Sequence, residues 1–246
     1  MTADGKSSKS KERPPMIGNI LGIDTTTGFL GIIARRGEEC VSVTANTGFR
    51  HGEQVLPWIE TTLAKLDLTP RKIELVVTAL GPGSFTGLRI GLAAAKGLAA
   101  GTGAALVGVP TPDTFGHRYG FFEGTVYPVI DARKKRFYSA AYENGQRVTD
   151  FLDCTPEELI AAATDRPRSL FTGPDAALLA TLFPGGTPPE TIRIAPSPVE
   201  LTALLELGLR EFEQNGPLPE NSGPIYLRKS EAEIVRDAHS PDPGNV

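Results

Sequence analysis

Cysteine is nearly absent from this chain. Cys40 and Cys154 are the only two in 246 residues, and they stand in unrelated stretches, too few for a disulfide framework or a thiolate zinc cluster. Histidine is as scarce: His51, His117 and His239 include no His-x-x-x-His pair, the spacing that aims two imidazoles at one ion, and this poverty of ligands argues against a bound metal. Ser84 is not in a Gly-x-Ser-x-Gly elbow, and the turn Gly81-Pro82-Gly83-Ser84 lacks the Gly-Lys-Ser/Thr ending of a Walker A loop, so it carries the signature of neither a serine hydrolase nor a P-loop. Basic excess is missing too. A formal charge of −4 gives no global attraction to nucleic acid, and any RNA contact needs a local patch or a basic partner. Residues 1–15 are rich in Lys, Ser and Pro without an apolar h-region, and residues 236–246 are polar with two prolines, so both ends are expected to be disordered. With 40% hydrophobic residues the chain still has enough apolar material for a sizeable core, and it reads as cytoplasmic.

What stands out is the stretch from Ala79 to Gly103. The β-branched run Ile73–Thr78 leads into Gly81-Pro82-Gly83-Ser84 and then into a helical segment that Ser84 can cap and Gly101 with Gly103 can end. Arg89 and Lys96 are its only charges from Ser84 to Gly101, seven residues apart and so on nearly one face. A helix this apolar is either buried or meets another chain. Gly87, Gly91 and Ala95 recur every fourth residue and would leave a groove for a second helix; covering its own sheet is the competing expectation, and both hold if they concern opposite faces. Arg89, Lys96, Gly87, Gly91, Gly97 and Gly101 argue against a membrane span.

Taken in order, 17–24 reads as an apolar strand ending on Asp24. Strands over 29–34 and 39–45, a helix over 51–66, the strand 73–78, the helix 84–101, a strand over 104–109 and a short helix over 111–118 follow. From Thr125 the cycle restarts: a strand 126–131 ending on Asp131, a basic turn, strands over 136–142 and 146–153, helices over 156–163, 176–183 and 198–214, and short strands at 170–173 and 192–194. Two halves that each open with three strands, the first ending on an acid, indicate a duplicated unit. The expected domains are 16–120 and 121–235, mixed sheets with helices on their faces.

This plan resembles the duplicated actin, sugar-kinase and Hsp70 ATPase fold, ribonuclease H-like in each half. More narrowly, Gly22-Ile23-Asp24-Thr25-Thr26, the run Gly81 to Gly91, Val129-Ile130-Asp131-Ala132-Arg133-Lys134-Lys135 with Tyr138, and Pro224-Ile225-Tyr226-Leu227-Arg228-Lys229 resemble the TsaB family, also called YeaZ, in family order along most of the chain. The resemblance implies a bacterial tRNA-modification role. TsaB-like proteins pair with TsaD, a paralogue that transfers threonylcarbamoyl from an adenylate made by TsaC onto the adenosine beside the anticodon of tRNAs reading ANN codons; the ATPase TsaE joins them. The TsaB-like subunit is a scaffold and activator, so no cofactor is expected here, ATP and a divalent metal belonging to the partners. It implies a pairing surface on the first two helices, here Val55, Leu56, Ile59 and Leu63 with Gly87, Leu88, Gly91, Leu92 and Ala95. In isolation the same apolar surface is expected to form a homodimer.

Other candidate positions come from residue chemistry. Asp24, with Thr25 beside it, stands where kinases of the resembled fold manage magnesium and phosphate, although a capping carboxylate in a turn explains it more simply; Gly83 and Ser84 before the glycine helix read as a phosphate loop or equally as a tight turn that lets two helices approach, and Asp131, the matching acid of the second half, is followed by residues too bulky for a close phosphate approach. Gly173-Pro174-Asp175 reads as a remnant of a nucleotide loop. Arg133, Lys134 and Lys135, followed by Arg136, are the densest basic run: a solvated hairpin by default, a patch for tRNA or a partner otherwise, with alternate residues on opposite sides if extended. The alternative function is a nucleotide-dependent kinase or ATPase of the same fold acting alone.

Overall fold

The computed structural model describes residues 17–48 and 50–228. Lys229, His239 and the two ends expected to be disordered lie outside the described residues.

The first lobe opens with an antiparallel meander, β1 (Asn19–Asp24), β2 (Phe29–Arg36) and β3 (Glu39–Asn46), followed by α1 (His51–Ala64), β4 (Leu75–Gly81), α2 (Phe85–Thr102), β5 (Ala105–Pro110) and α3 (Thr111–Arg118). Its sheet has the order β3-β2-β1-β4-β5, with β4 and β5 parallel to β1. Strands β1 and β4 are buried along nearly their whole length, and their apolar runs follow from cover on both faces. Leu21, Ile23, Leu30, Ile32 and Val76 pack under Val55, Ile59 and Leu63 of α1 and Ala95 of α2. Ile20, Ile33, Leu75 and Val77 face the other way.

The second lobe comprises β6 (Thr125–Pro128), β7 (Ile130–Asp131), β8 (Phe137–Ser139), β9 (Tyr142–Glu143), β10 (Gln146–Arg147), β11 (Leu152–Cys154), α4 (Pro156–Thr164), β12 (Ser169–Gly173), α5 (Ala176–Ala180) and β13 (Ile192–Pro196). Its five-stranded sheet, β10-β9-β6-β12-β13, repeats the order and sense of the first, two antiparallel strands before the opening strand and two parallel ones after it. The expected single strand 126–131 is broken at Val129, and β7 crosses into a second sheet, β11-β8-β7.

The last helix, α6 (Leu201–Asn215), does not stay with the second half as the boundary 121–235 anticipated. Leu201, Leu204 and Leu205 pack on Ile20, Ile33, Leu75 and Val77 of the first sheet. Neither α1 nor α2 reaches that face, and a sheet with two apolar faces needs a layer on each.

The glycine groove of α2 is filled by the chain itself, which corrects the expectation that a second helix occupies it. The turn Thr25–Thr26 after β1 lies against the start of α2: Thr25 Oγ1 donates to the Gly87 carbonyl at 2.7 Å, and the Ser84 N–H donates to the Thr26 carbonyl at 2.6 Å. A Cβ on Gly87 would stand 2.0 Å from the Thr25 carbonyl oxygen, one on Gly83 2.3 Å from that of Thr26, and one on Gly91 2.3 Å from Thr25 Oγ1. Ser84 caps the helix by accepting from the Gly87 N–H, and Gly103, left-handed at φ +80, closes its end, both as the sequence indicates.

Gly87→Ala is expected to destabilise the fold by about 3 kcal/mol, since the obstacle is backbone and cannot swing aside. Gly97→Ala, ten residues along the same helix with nothing within 4 Å of its Cβ, is expected to stabilise it by about 0.5–1 kcal/mol. Urea titration of the two variants beside the parent checks both signs.

Candidate functional site in the interlobe cleft and on the outer helix face

Two glycine-proline turns face each other across the lobes. Gly81, the last residue of β4, has φ +95 and precedes Pro82, and Gly173, the last of β12, has φ +96 and precedes Pro174, a left-handed glycine at the same place in each half. Both keep the glycine in the left-handed region, where a side chain is strained. Between them lies a cleft of about 570 Å³ whose walls include Thr26, Gly83 and Ser84 from the first lobe and Asp131, Arg133 and Asp175 from the second.

The structure thus brings Gly83, Ser84 and Asp131 together, as the nucleotide-fold comparison anticipates, along with Arg133 and Asp175. Asp24 and Thr25 are not on the cleft wall. Asp24 is buried with Oδ1 accepting from the Thr26 N–H at 2.8 Å and from Thr26 Oγ1 at 2.7 Å. Burial raises its pKa above the ordinary carboxyl value, against the two Thr26 hydrogen bonds and the nearby His51, which lower it. It is a turn carboxylate, and Thr25 is the turn's hydrogen bond to α2. His51, buried at the start of α1, secures the turn from its other side: Nε2–H donates to the Thr27 carbonyl at 2.8 Å, and Nδ1 lies 3.0 Å from Thr47 Oγ1. His117 pairs with Glu206, Nε2 to Oε2 at 2.8 Å.

On the second lobe, Asp175 Oδ2 accepts from the Asp131 N–H at 2.7 Å, and Arg133 Nη1 lies 3.4 Å from Asp131 Oδ2. Burial raises the Asp175 pKa, opposed by the Asp131 N–H and by Arg133 and reinforced by the Asp131 charge. An anion entering here would meet two carboxylates and one guanidinium, a balance that does not favour an unaccompanied phosphate. Arg133, Lys134 and Lys135 do not alternate as in a strand. All three are left-handed, at φ 62, 54 and 56, in a turn closed by the Arg133 N–H on Asp131 Oδ1 at 2.7 Å and the Ala132 N–H on the Arg136 carbonyl at 2.9 Å. All three are exposed, and Arg136 is drawn away to Asp153, Nε to Oδ1 at 2.7 Å.

The expected pairing residues fall differently. Val55, Ile59, Leu63, Leu88, Leu92, Ala95, Gly87 and Gly91 are buried within the first lobe and present nothing to another protein, whereas Leu56 is 52% exposed. The same periodicity that suggested a contact face marks the core face, because an amphipathic helix buries its apolar stripe against its own sheet first. The outward face carries Thr86, Ala93, Gly97 and Gly101, with Ile90 and Ala94 half-buried. Gly52 of α1 lies over Ile90, its Cβ position 3.7 Å from Cδ1, so the face continues from α2 to Gly52 and Leu56. No helix among the described residues is long and apolar enough to cross a membrane.

Paired five-stranded sheets of one order around a central cleft define the actin-like ATPase type of fold, and the chain shares it with a solved structure of YeaZ from Pseudomonas aeruginosa, TM-score 0.71 at 20% identity over 85% of this chain and all of that one. A family model described as TsaD, tRNA N6-adenosine threonylcarbamoyltransferase, matches residues 45–178. The tRNA threonylcarbamoyladenosine biosynthesis protein TsaB of Bacillus subtilis is 33% identical over 65% of this chain and 72% of its own length. An uncharacterized protein of Mycobacterium tuberculosis strain H37Rv is 32% identical over 88% of this chain and 94% of its own length. The chain belongs to the TsaB (YeaZ) family.

Asp24→Asn preserves both hydrogen bonds to Thr26 without a buried charge and is expected to fold at least as stably as the parent, whereas Asp24→Ala is expected to lose about 2 kcal/mol. Because the folded pKa of Asp24 is raised, the penalty for charging it is present above that pKa and disappears as pH falls through it to the ordinary value of 3.8. Any advantage of the asparagine variant is therefore largest at neutral pH and fades in acid, which denaturation midpoints between pH 3.5 and 8 would display.

Proposed function

We propose that this chain is a scaffold and activator subunit of the apparatus that forms threonylcarbamoyladenosine beside the anticodon of ANN-reading tRNAs. In this reading it pairs with a TsaD-like paralogue and recruits a TsaE-like ATPase, tRNA reaches it through the complex, and ATP and a divalent metal are held by the partners. Family membership supports the pathway. The observation that carries the scaffold role is the outward side of α2: Gly97 and Gly101 have nothing within 4 Å of their Cβ positions, Thr86 and Ala93 are exposed and uncharged with them, and on the neighbouring α1 Leu56 is half exposed, with Glu53 and Glu60 to either side of it in sequence. Small residues let a partner's backbone approach closely, and the absence of charge spares it a desolvation cost. In isolation the same face is expected to meet its copy in a homodimer.

A lone kinase or ATPase would need a phosphate site in the cleft, and its charge balance argues against that role. The two readings part on turnover, since only an enzyme hydrolyses or transfers phosphate without its partners.

Leu56→Asp and Gly97→Arg place charge on the outer face without entering the core and are expected to weaken pairing with the TsaD-like paralogue about 100-fold, with the thermal midpoint preserved. Titration calorimetry with purified partner measures this, and wild-type affinity in both variants would refute the surface. Gly91→Arg and Leu92→Glu, which would attack the buried face, are expected to unfold the lobe outright.

A further inference from the structure

After α6 the chain turns back across both lobes. The Leu218 N–H donates to the Leu106 carbonyl on β5 at 2.7 Å. Lys96 Nζ donates to the carbonyls of Glu220 and Ser222 at 2.7 and 2.8 Å. The Ile225 N–H then reaches the Leu80 carbonyl at the end of β4, 2.8 Å away. Tyr226 stacks on Phe85, ring centres 4.8 Å apart, and its hydroxyl accepts from Arg89 Nε at 3.1 Å while the Arg89 guanidinium lies over the Phe85 ring. Both charges of α2, Arg89 and Lys96, are thus engaged by this one segment.

Two residues further on, the same segment is fastened to the other lobe. Arg228 clasps Asp153 with Nε and Nη2 in a two-pronged ion pair, donates from Nη1 to the Ala132 carbonyl at 3.2 Å and lies against the Tyr138 ring. Arg136 joins on the same carboxylate. These hydrogen bonds hold the Asp153 carboxyl below the usual carboxylate range. A bidentate guanidinium–carboxylate pair of low exposure is among the stronger polar links a surface can make.

Phe85 and Tyr138 stand on opposite walls of the cleft, and the segment touches both, Tyr226 on the first and Arg228 on the second. Two lobes around a cleft can hinge; here they are joined by the covalent crossings 119–124 and 197–200 and by α3, whose Asp113 accepts from the Tyr142 hydroxyl at 2.6 Å and whose Phe115 packs with Ile130 and Tyr138. We propose that residues 217–228 form a tie across the cleft mouth that fixes its opening, so that the two lobes move as one rigid body. The tie needs both ends: without Arg228 it becomes a ribbon lying on the first lobe, and without the Lys96 and Tyr226 side chains only the main-chain bonds of Leu218 and Ile225 hold it there.

The test measures the distance between lobes in the full-length chain by pulsed electron resonance, with spin labels on the exposed native Cys40 and on Glu190→Cys, Cys154 being buried away from the reagent. The parent is expected to give one narrow distribution. Arg228→Ala, and independently Lys96→Ala combined with Tyr226→Ala, are each expected to broaden it and to speed amide exchange at 83–87 and 130–135 by about tenfold. Arg228→Lys, which keeps a charge but cannot fork, is expected to fall between. If either variant folds with the parent's circular dichroism and keeps the narrow distribution, the tie is refuted, even where the thermal midpoint has dropped, because stability alone is then all the segment provides. Should Arg228→Ala fail to fold, the pair at the other end decides alone.

Discussion

The contact on which the architecture rests is the approach of the Thr25–Thr26 backbone to the first two turns of α2. Three positions, 83, 87 and 91, must lack a Cβ for it to form, and two hydrogen bonds, from Thr25 Oγ1 and from the Ser84 N–H, hold it once formed. Burial of the Asp24 carboxylate follows, because the turn carrying it is enclosed between α2 and His51. The first wall of the cleft follows too, since Thr26, Gly83 and Ser84 are the visible edge of this junction. A motif that looks like a ligand loop is, in this chain, first a packing device.

The same helix divides its circumference three ways. Its core side is closed by the first sheet and Thr25, its two charges are engaged by the returning segment that ends on Arg228, and what remains outward is small and uncharged. Basic side chains on an apolar helix would ordinarily make its surface repel other greasy surfaces. By binding carbonyls and a phenol of their own chain they leave the neighbouring strip suited to close protein contact.

Much of this was readable from residues alone because local rules governed it. Strand and helix periodicity located most elements to within a few positions, although 136–142 and 146–153, each read as one strand, are each divided between two sheets, and the acid after the opening strand of each half disclosed the duplication, the two five-stranded sheets taking up their segments in the same order. The face of each helix was not readable. Val55, Ile59 and Leu63 have the spacing of an interface and equally of a core, and only the third dimension tells which surface their own sheet occupies. Nor was Asp153: its partner Arg228 is 75 residues away, and a single carboxylate between Leu152 and Cys154 carries no local sign of a distant ion pair. The basic turn after Asp131 was readable, but its left-handed conformation at Arg133–Lys135 was not, because Arg and Lys do not favour that region and the Asp131 hydrogen bond imposes it on them.

The placement of α6 has a consequence for how such a molecule is made. Ile20, Ile33, Leu75 and Val77 leave the ribosome in the first third of synthesis, yet the side chains that cover them, Leu201, Leu204 and Leu205, come near the end. At cellular elongation rates of about 5–20 residues per second, that greasy sheet face waits several seconds for its lid, while the second lobe has all its own strands in hand and can mature ahead of it. The half of the molecule that is translated first is completed last, and a chain released short of residue 201 is exposed on the face where an unfinished sheet is most adhesive.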